Sequence, residues 1–168
     1  MQNAKDTFYA MLQGRLAAIN PARTIVVRGL VRPGTLVDEN ELPTAALATD
    51  VFHLRWTGLQ VDRTSSLPLA AMECSILYAT DGTSGNGGMD RGRLLAAMDA
   101  ELASALGAAP HSTVKSNYAA AGVGVAPVAM GTDIFWGDPV FGAVGAVGER
   151  LQRTVSFPVY AYEEAGEL

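Results

Sequence analysis

The sequence predicts an α+β domain: a mostly antiparallel sheet with two main helices packed on one face. Two segments carry apolar residues at helical spacing, while several short β-branched or alternating runs stand between and after them. The turns joining those runs are of hairpin length, which suits antiparallel neighbours. At 168 residues the chain makes one domain, 1–168.

Within residues 4–19, Phe8, Met11, Leu12, Leu16 and Ile19 form one stripe of an amphipathic helix, and Pro21 follows where helices commonly stop. Thr24 to Leu30 is β-branched and reads as a strand. The acidic, turn-prone stretch 32–46 reads as a loop. From Val51 the chain alternates, with Phe52, Leu54 and Trp56 opposite His53, Arg55 and Thr57. Leu59 and Val61 then move the apolar side to odd positions, and this slip at Gly58 predicts a β-bulge. Met72, Cys74, Ile76 and Tyr78 alternate with Glu73 and Ser75, as in a hairpin partner of the preceding strand.

A glycine-rich loop at 80–89 leads to Asp90, a predicted cap for a helix with Leu95, Met98, Leu102 and Leu106 on its core face and Gly107 at its end. Residues 107–132 are small, nearly uncharged and without clear periodicity, so they read as a long loop or arm. A short strand at 133–136, a turn at Gly137, Asp138 and Pro139, and a closing strand over about 149–162 complete the chain. Leu151, Val155, Phe157, Val159 and Ala161 share one face of that last strand, and Pro158, which cannot donate to a ladder, is expected near a sheet edge or a bulge.

Composition narrows the function classes. With 49% hydrophobic and 17% charged residues the chain is not of the disordered kind. Its net charge of −5, without any Lys/Arg block, argues against a dedicated nucleic-acid binder or a polybasic membrane-surface protein. The lone cysteine, Cys74, excludes an intrachain disulfide or a thiolate metal cluster and fits a reducing compartment. The first residues lack a signal-peptide core, and no window of about 18 apolar residues occurs, so a soluble cytosolic product is expected.

No catalytic motif is complete. The loop Gly82–Asp90 joins a strand to a helix start, the setting of phosphate cradles, but Gly87 is followed by Gly88 and Met89 rather than Lys and Ser or Thr. Asp90 stands where a dinucleotide pattern needs its third glycine, and the sequence around Ser84 lacks the second glycine of a nucleophile elbow. His53 and His111 lie outside any metal-ligand spacing and read as surface or interface residues, and Cys74 reads as a small core residue. Carboxylates at Asp38, Glu39 and Glu41, and at Glu163, Glu164 and Glu167, read as solvated surface. Arg91 and Arg93 open a helix, where the dipole disfavours them, so a partner such as an acidic group of a neighbouring subunit is expected to hold them. Neither enzyme activity nor a cofactor or metal is expected, and an interaction or assembly role is.

The order of elements resembles the tail terminator proteins, or minor tail protein U-like proteins, of long-tailed bacteriophages. The likeness is carried by the helix Ala4 to Ile19, the acidic loop ending Glu41-Leu42-Pro43-Thr44-Ala45-Ala46, the hairpin, the helix Asp90 to Leu106, and the ending Val159-Tyr160-Ala161-Tyr162-Glu163-Glu164, with 107–132 as an insertion longer than usual. The resemblance implies a virion protein whose ring, commonly hexameric, caps the tail tube, stops its polymerisation and meets the head connector. DNA would pass through the lumen without specific binding, compatibly with a chain whose only lysines are Lys5 and Lys115. Subunit and tube contacts are then expected on the sheet edge and on loops 34–46 and 82–90, through Asp38, Glu39, Glu41, Arg91 and Arg93. Other tail-completion or neck proteins, and subunits of phage-like particles, share this chemistry. A ligand-binding domain or enzyme using Gly82–Asp90 is the competing class.

Overall fold

Phe8, Leu12 and Leu16 recur every fourth residue, and helix α1 (Gln2–Ile19) buries them in one stripe with Ala4 and Thr7. In the computed structural model, residues 1–39, 47–119, 125–164 and 167 are described. Beyond α1, the run read as one strand folds into a two-stranded ribbon, β1 (Thr24–Val27) and β2 (Leu30–Pro33). Arg28 (φ 50°) and Gly29 (φ 81°) turn it, the pair of positive angles that two-residue hairpins favour.

The stretch expected to be a loop also contains β3 (Thr35–Val37), fully buried and parallel to β4 (Phe52–Asp62). Strand β4 pairs antiparallel with β5 (Leu69–Thr80), and the register shifts between Trp56 and Gly58, so the bulge read from the parity slip is present with Thr57 as its extra residue. Helix α2 (Arg91–Gly107) follows and buries Leu95, Met98, Leu102 and Leu106 as its spacing predicts.

Residues 107–132 correct the reading of a loop or arm. They hold β6 (Ser112–Asn117) and the start of β7 (Val128–Trp136), which pair antiparallel. Apolar periodicity could not reveal β6, because it buries Lys115 and exposes Val114.

Strands β8 (Val140–Phe141), β9 (Gly145–Val147) and β10 (Arg150–Tyr162) complete the sheet, whose order is β3-β4-β5-β10-β7-β6. Because β5 follows one side of β10 from Leu151 to Tyr162, strands β7, β8 and β9 share its other side in turn. Pro158 therefore lies on a central strand rather than at an edge. Its carbonyl accepts the N–H of Gly137 at 3.0 Å, so its missing donor faces the gap where the chain leaves β7 for β8. Glycine at 137 eases this approach, since a Cβ there would lie 3.0 Å from the Pro158 ring.

Helix and strand side chains meet in one core. The Phe8 ring packs 5.6 Å from Phe157, 5.7 Å from Trp136 and 5.9 Å from Trp56, mostly edge to face. Two of its buried polar groups are paired: Trp136 Nε1 donates to Leu106 O at 3.0 Å, and the Tyr78 hydroxyl donates to Asp99, which Arg153 also meets at 3.0 Å.

Candidate functional site

The residues expected at subunit contacts fall into two groups that no ion pair joins among the described residues. Where β3 ends, Asp38 accepts from Arg55 Nε at 2.7 Å, and Glu39 accepts from Lys5 Nζ at 2.7 Å. These carboxylates tie the chain after β3 to β4 and to α1. Glu41 lies outside the described residues. At the start of α2, Arg91 donates from Nε to Asp81 O at 3.0 Å and from Nη2 to Glu149 at 3.3 Å. The partner expected from another subunit is thus met at least partly in this chain. Arg93 is exposed and has no hydrogen-bonding or charged partner among the described residues.

The glycine-rich loop is closed upon itself. Its N–H groups are used internally: Thr83 to Asp90 Oδ1, Asn86 to Thr83 O, Gly87 to Ser84 O, Gly88 to Thr83 O and Met89 to Asn86 O. Asp90 precedes α2 as expected, yet its side chain makes no capping bond to the helix. The carboxylate turns back to the Thr83 hydroxyl and N–H, which hold it below the usual carboxylate range. An anion there would meet that carboxylate and few free amides, so the geometry does not suit phosphate. Two of the glycines are set by backbone: Gly82 (φ +79°) would bring a Cβ to 2.6 Å from Gly88 Cα, and Gly88 (φ +75°) is left-handed, with the Arg91 guanidinium 2.4 Å from where its Cβ would stand.

His53 is buried rather than at the surface, with Nε2 3.3 Å from Ala48 O. Burial lowers its pKa despite Asp38 at 3.9 Å. His111 is half-buried and stacks on Trp136. Burial pushes the Cys74 thiol pKa up, which makes it a poor nucleophile.

The most developed polar cluster escaped the sequence reading. The β6–β7 register shifts between Val114 and Ser116, leaving Met130 to Thr132 unpaired opposite Lys115. The Glu164 carboxylate fills that bulge, accepting from Gly131 N at 3.1 Å, Thr132 N at 2.9 Å and Thr132 Oγ1 at 2.5 Å. Lys115, fully buried, reaches Glu167 and the Tyr162 carbonyl at 2.5 Å each and Glu164 at 3.4 Å. The only sequence signal was compositional: a lysine with no like neighbour and an acidic terminus. This cluster anchors the end of the chain and leaves no exposed reactive group.

A groove of about 360 Å³ beside it is lined by Met1, Gln2, Asn3, Asp6, Asn117, Tyr118, Ala119 and Glu167, without a His, Cys or Ser. Among the described residues, no three His, Cys, Asp or Glu side chains are placed to hold a metal ion, and no helix is long and apolar enough to cross a membrane. Surface apolarity is the stronger feature. Val26, Leu30 and Val31 on the β1–β2 ribbon are 65–73% exposed, and Val140, Val144 and Val147 along β8 and β9 are 46–69% exposed. The chain matches no protein-family model, and no curated protein matches it in sequence.

Proposed function

We propose that this chain is a structural assembly protein, a tail terminator whose ring, hexameric by resemblance, caps a tail tube and joins it to a head connector. The observation that carries the assembly reading is the division of the surface. Ionic groups are largely locked in pairs within the chain, while valines and a leucine stand exposed on an isolated ribbon and along β8–β9. Exposed apolar side chains gathered on strands mark interaction surfaces more than catalytic ones. In this reading α1 and α2 together cover one face of the sheet, as their shared core with β5, β7 and β10 supports. Asp38, Glu39 and Arg91 frame the contacts, Arg93 presents a guanidinium that has no partner among the described residues, and DNA passes through an acidic lumen without being gripped.

A ligand-binding role for Gly82–Asp90 is disfavoured by its internally bonded amides. Mass photometry of the full chain over rising concentration tests the assembly reading: a single closed species is expected. Added to polymerising tail-tube subunits, that species should hold tubes short in electron micrographs. A monomer throughout, with no effect on tube length, would refute it.

A further inference from the structure

We infer that the β1–β2 ribbon of one copy docks on the open β8–β9 edge of a second copy by strand addition. This contact rests on the assembly reading above and names its surfaces. Four observations carry it.

Among the described residues the ribbon belongs to no larger sheet, and a lone two-stranded hairpin is marginal in water. Its register puts Val26 with Val31 on one face and Val27 with Leu30 on the other, so exposed apolar side chains stand on both faces.

Strands β8 and β9 pair with β10 on one side and, among the described residues, with nothing on the other. Gly142, Ala143, Gly145 and Ala146 keep side chains small along this stretch, so another backbone can come close. A four-residue ribbon strand spans about 13 Å, which the eight residues 140–147 accommodate.

The remaining sheet edges are obstructed by α1. Thr7 Oγ1 takes the N–H of Ser116 on β6 at 3.0 Å, Asn3 takes that of Tyr118 at 3.2 Å, and the Tyr9 hydroxyl donates to Thr35 O on β3 at 3.0 Å. No such cap lies on β8–β9 among the described residues.

Charge chooses the occupant. At the ribbon turn Arg28 is exposed and residues 24–33 carry no acid, whereas 137–149 carry the exposed Asp138 and no base, Glu149 being the partner of Arg91 within the chain. One chain thus presents both halves of a complementary pair, which suits a second copy of itself. Such a contact is heterologous and, repeated head to tail, generates a ring or an open filament.

The test uses the full chain. Val26→Thr with Val31→Thr keeps β-branched shapes while removing exposed apolar surface. It should leave the melting temperature unchanged and weaken assembly at least about tenfold in mass photometry. Arg28→Glu should weaken assembly alone, as should Asp138→Lys, and the combination of the two should restore it. Assembly undiminished by the threonine changes, or charge reversal without rescue, would overturn this contact and leave the ring reading standing. A wild-type chain that stays monomeric would overturn both.

Discussion

Replacing Lys115 by Met is the sharpest test of how β6 is held. The side chain keeps its length and apolar stem, so little packing is lost, but the ammonium is removed from three oxygen partners. The Glu167 side chain is only 3% exposed, and among the described residues its Oε1 has no hydrogen-bond partner, so without the lysine it would keep only the Glu164 N–H at Oε2. Removing one member of such a pair costs about 3–5 kcal/mol, a large share of the roughly 5–15 kcal/mol that a domain has in all. At about 2–4 °C per kcal/mol for this chain length, the melting temperature should fall by about 6–20 °C. Urea unfolding followed by tryptophan fluorescence measures the loss directly. Adding Glu167→Gln removes the stranded charge, so the double variant should recover at least about 2 kcal/mol relative to the sum of the single changes. A Lys115→Met protein within about 1 kcal/mol of wild type, with no coupling to Glu167, would show a solvated lysine and refute the buried cluster.

Phe157→Ala removes a ring packed against Phe8 and should cost about 3–5 kcal/mol by urea titration. Glu164 and Glu101 have folded-state pKa values below the ordinary 4.5. For Glu164 the Thr132 hydroxyl is the chief cause; for Glu101, Arg23 and Asn20 outweigh an opposing burial effect. The unfolded chain therefore binds their protons first. Their stabilisation is present above the ordinary range and is lost as pH falls through the folded values, and Glu101→Gln should flatten the acid limb of a stability–pH curve. Gly88→Ala, at φ +75° and in the path of Arg91, should lower stability by about 1–3 kcal/mol, with Arg91→Ala relieving part of that loss in thermal melts. Reversing Asp38 and Glu39 breaks pairs worth at most about 1 kcal/mol each, so the melting temperature should move little while mass photometry reports the loss of assembly.

Much of the frame was legible because buried positions there follow a clean period. The Phe8–Leu12–Leu16 stripe, the Leu95 to Leu106 face and the β4–β5 alternation each repeat as a core face must, and even the bulge at Thr57 was written in the parity of Leu59 and Val61. Strands held by something other than apolar burial were not legible. β6 packs a lysine inward, β3 is three residues long beside an acidic stretch of sequence, and the β1–β2 turn uses Arg28 at positive φ where asparagine or aspartate is the usual signal. Among the candidate site residues, sequence could place Asp38, Glu39 and Arg91 on loops and helix starts. It could not show that Arg55, Lys5 and Glu149 of the same chain meet them, because those partners are 17, 34 and 58 positions away.

The same helix that builds the core also decides which surfaces remain able to assemble. An uncovered sheet edge is a template for another strand, and soluble proteins normally block it with charges, prolines or covering elements. Here α1 does so at both ends of the main sheet: Phe8 and Leu12 face the core, Tyr9 reaches the β3 carbonyl, and Thr7 and Asn3 take the N–H groups of β6 and the residue beyond it. The protection ends where β6 stops following β7, and among the described residues the chain from Val140 to Val147 pairs with β10 alone. A protein that needed only to stay soluble would gain from a lysine at Val140 or Val147, and the ribbon would gain from one at Val31. Instead these positions hold β-branched apolar residues that suit pairing and no monomeric core. The contrast between capped and uncapped edges within the main sheet, together with the apolar residues exposed on the separate ribbon, is what supports the proposed contact between β8–β9 and the ribbon.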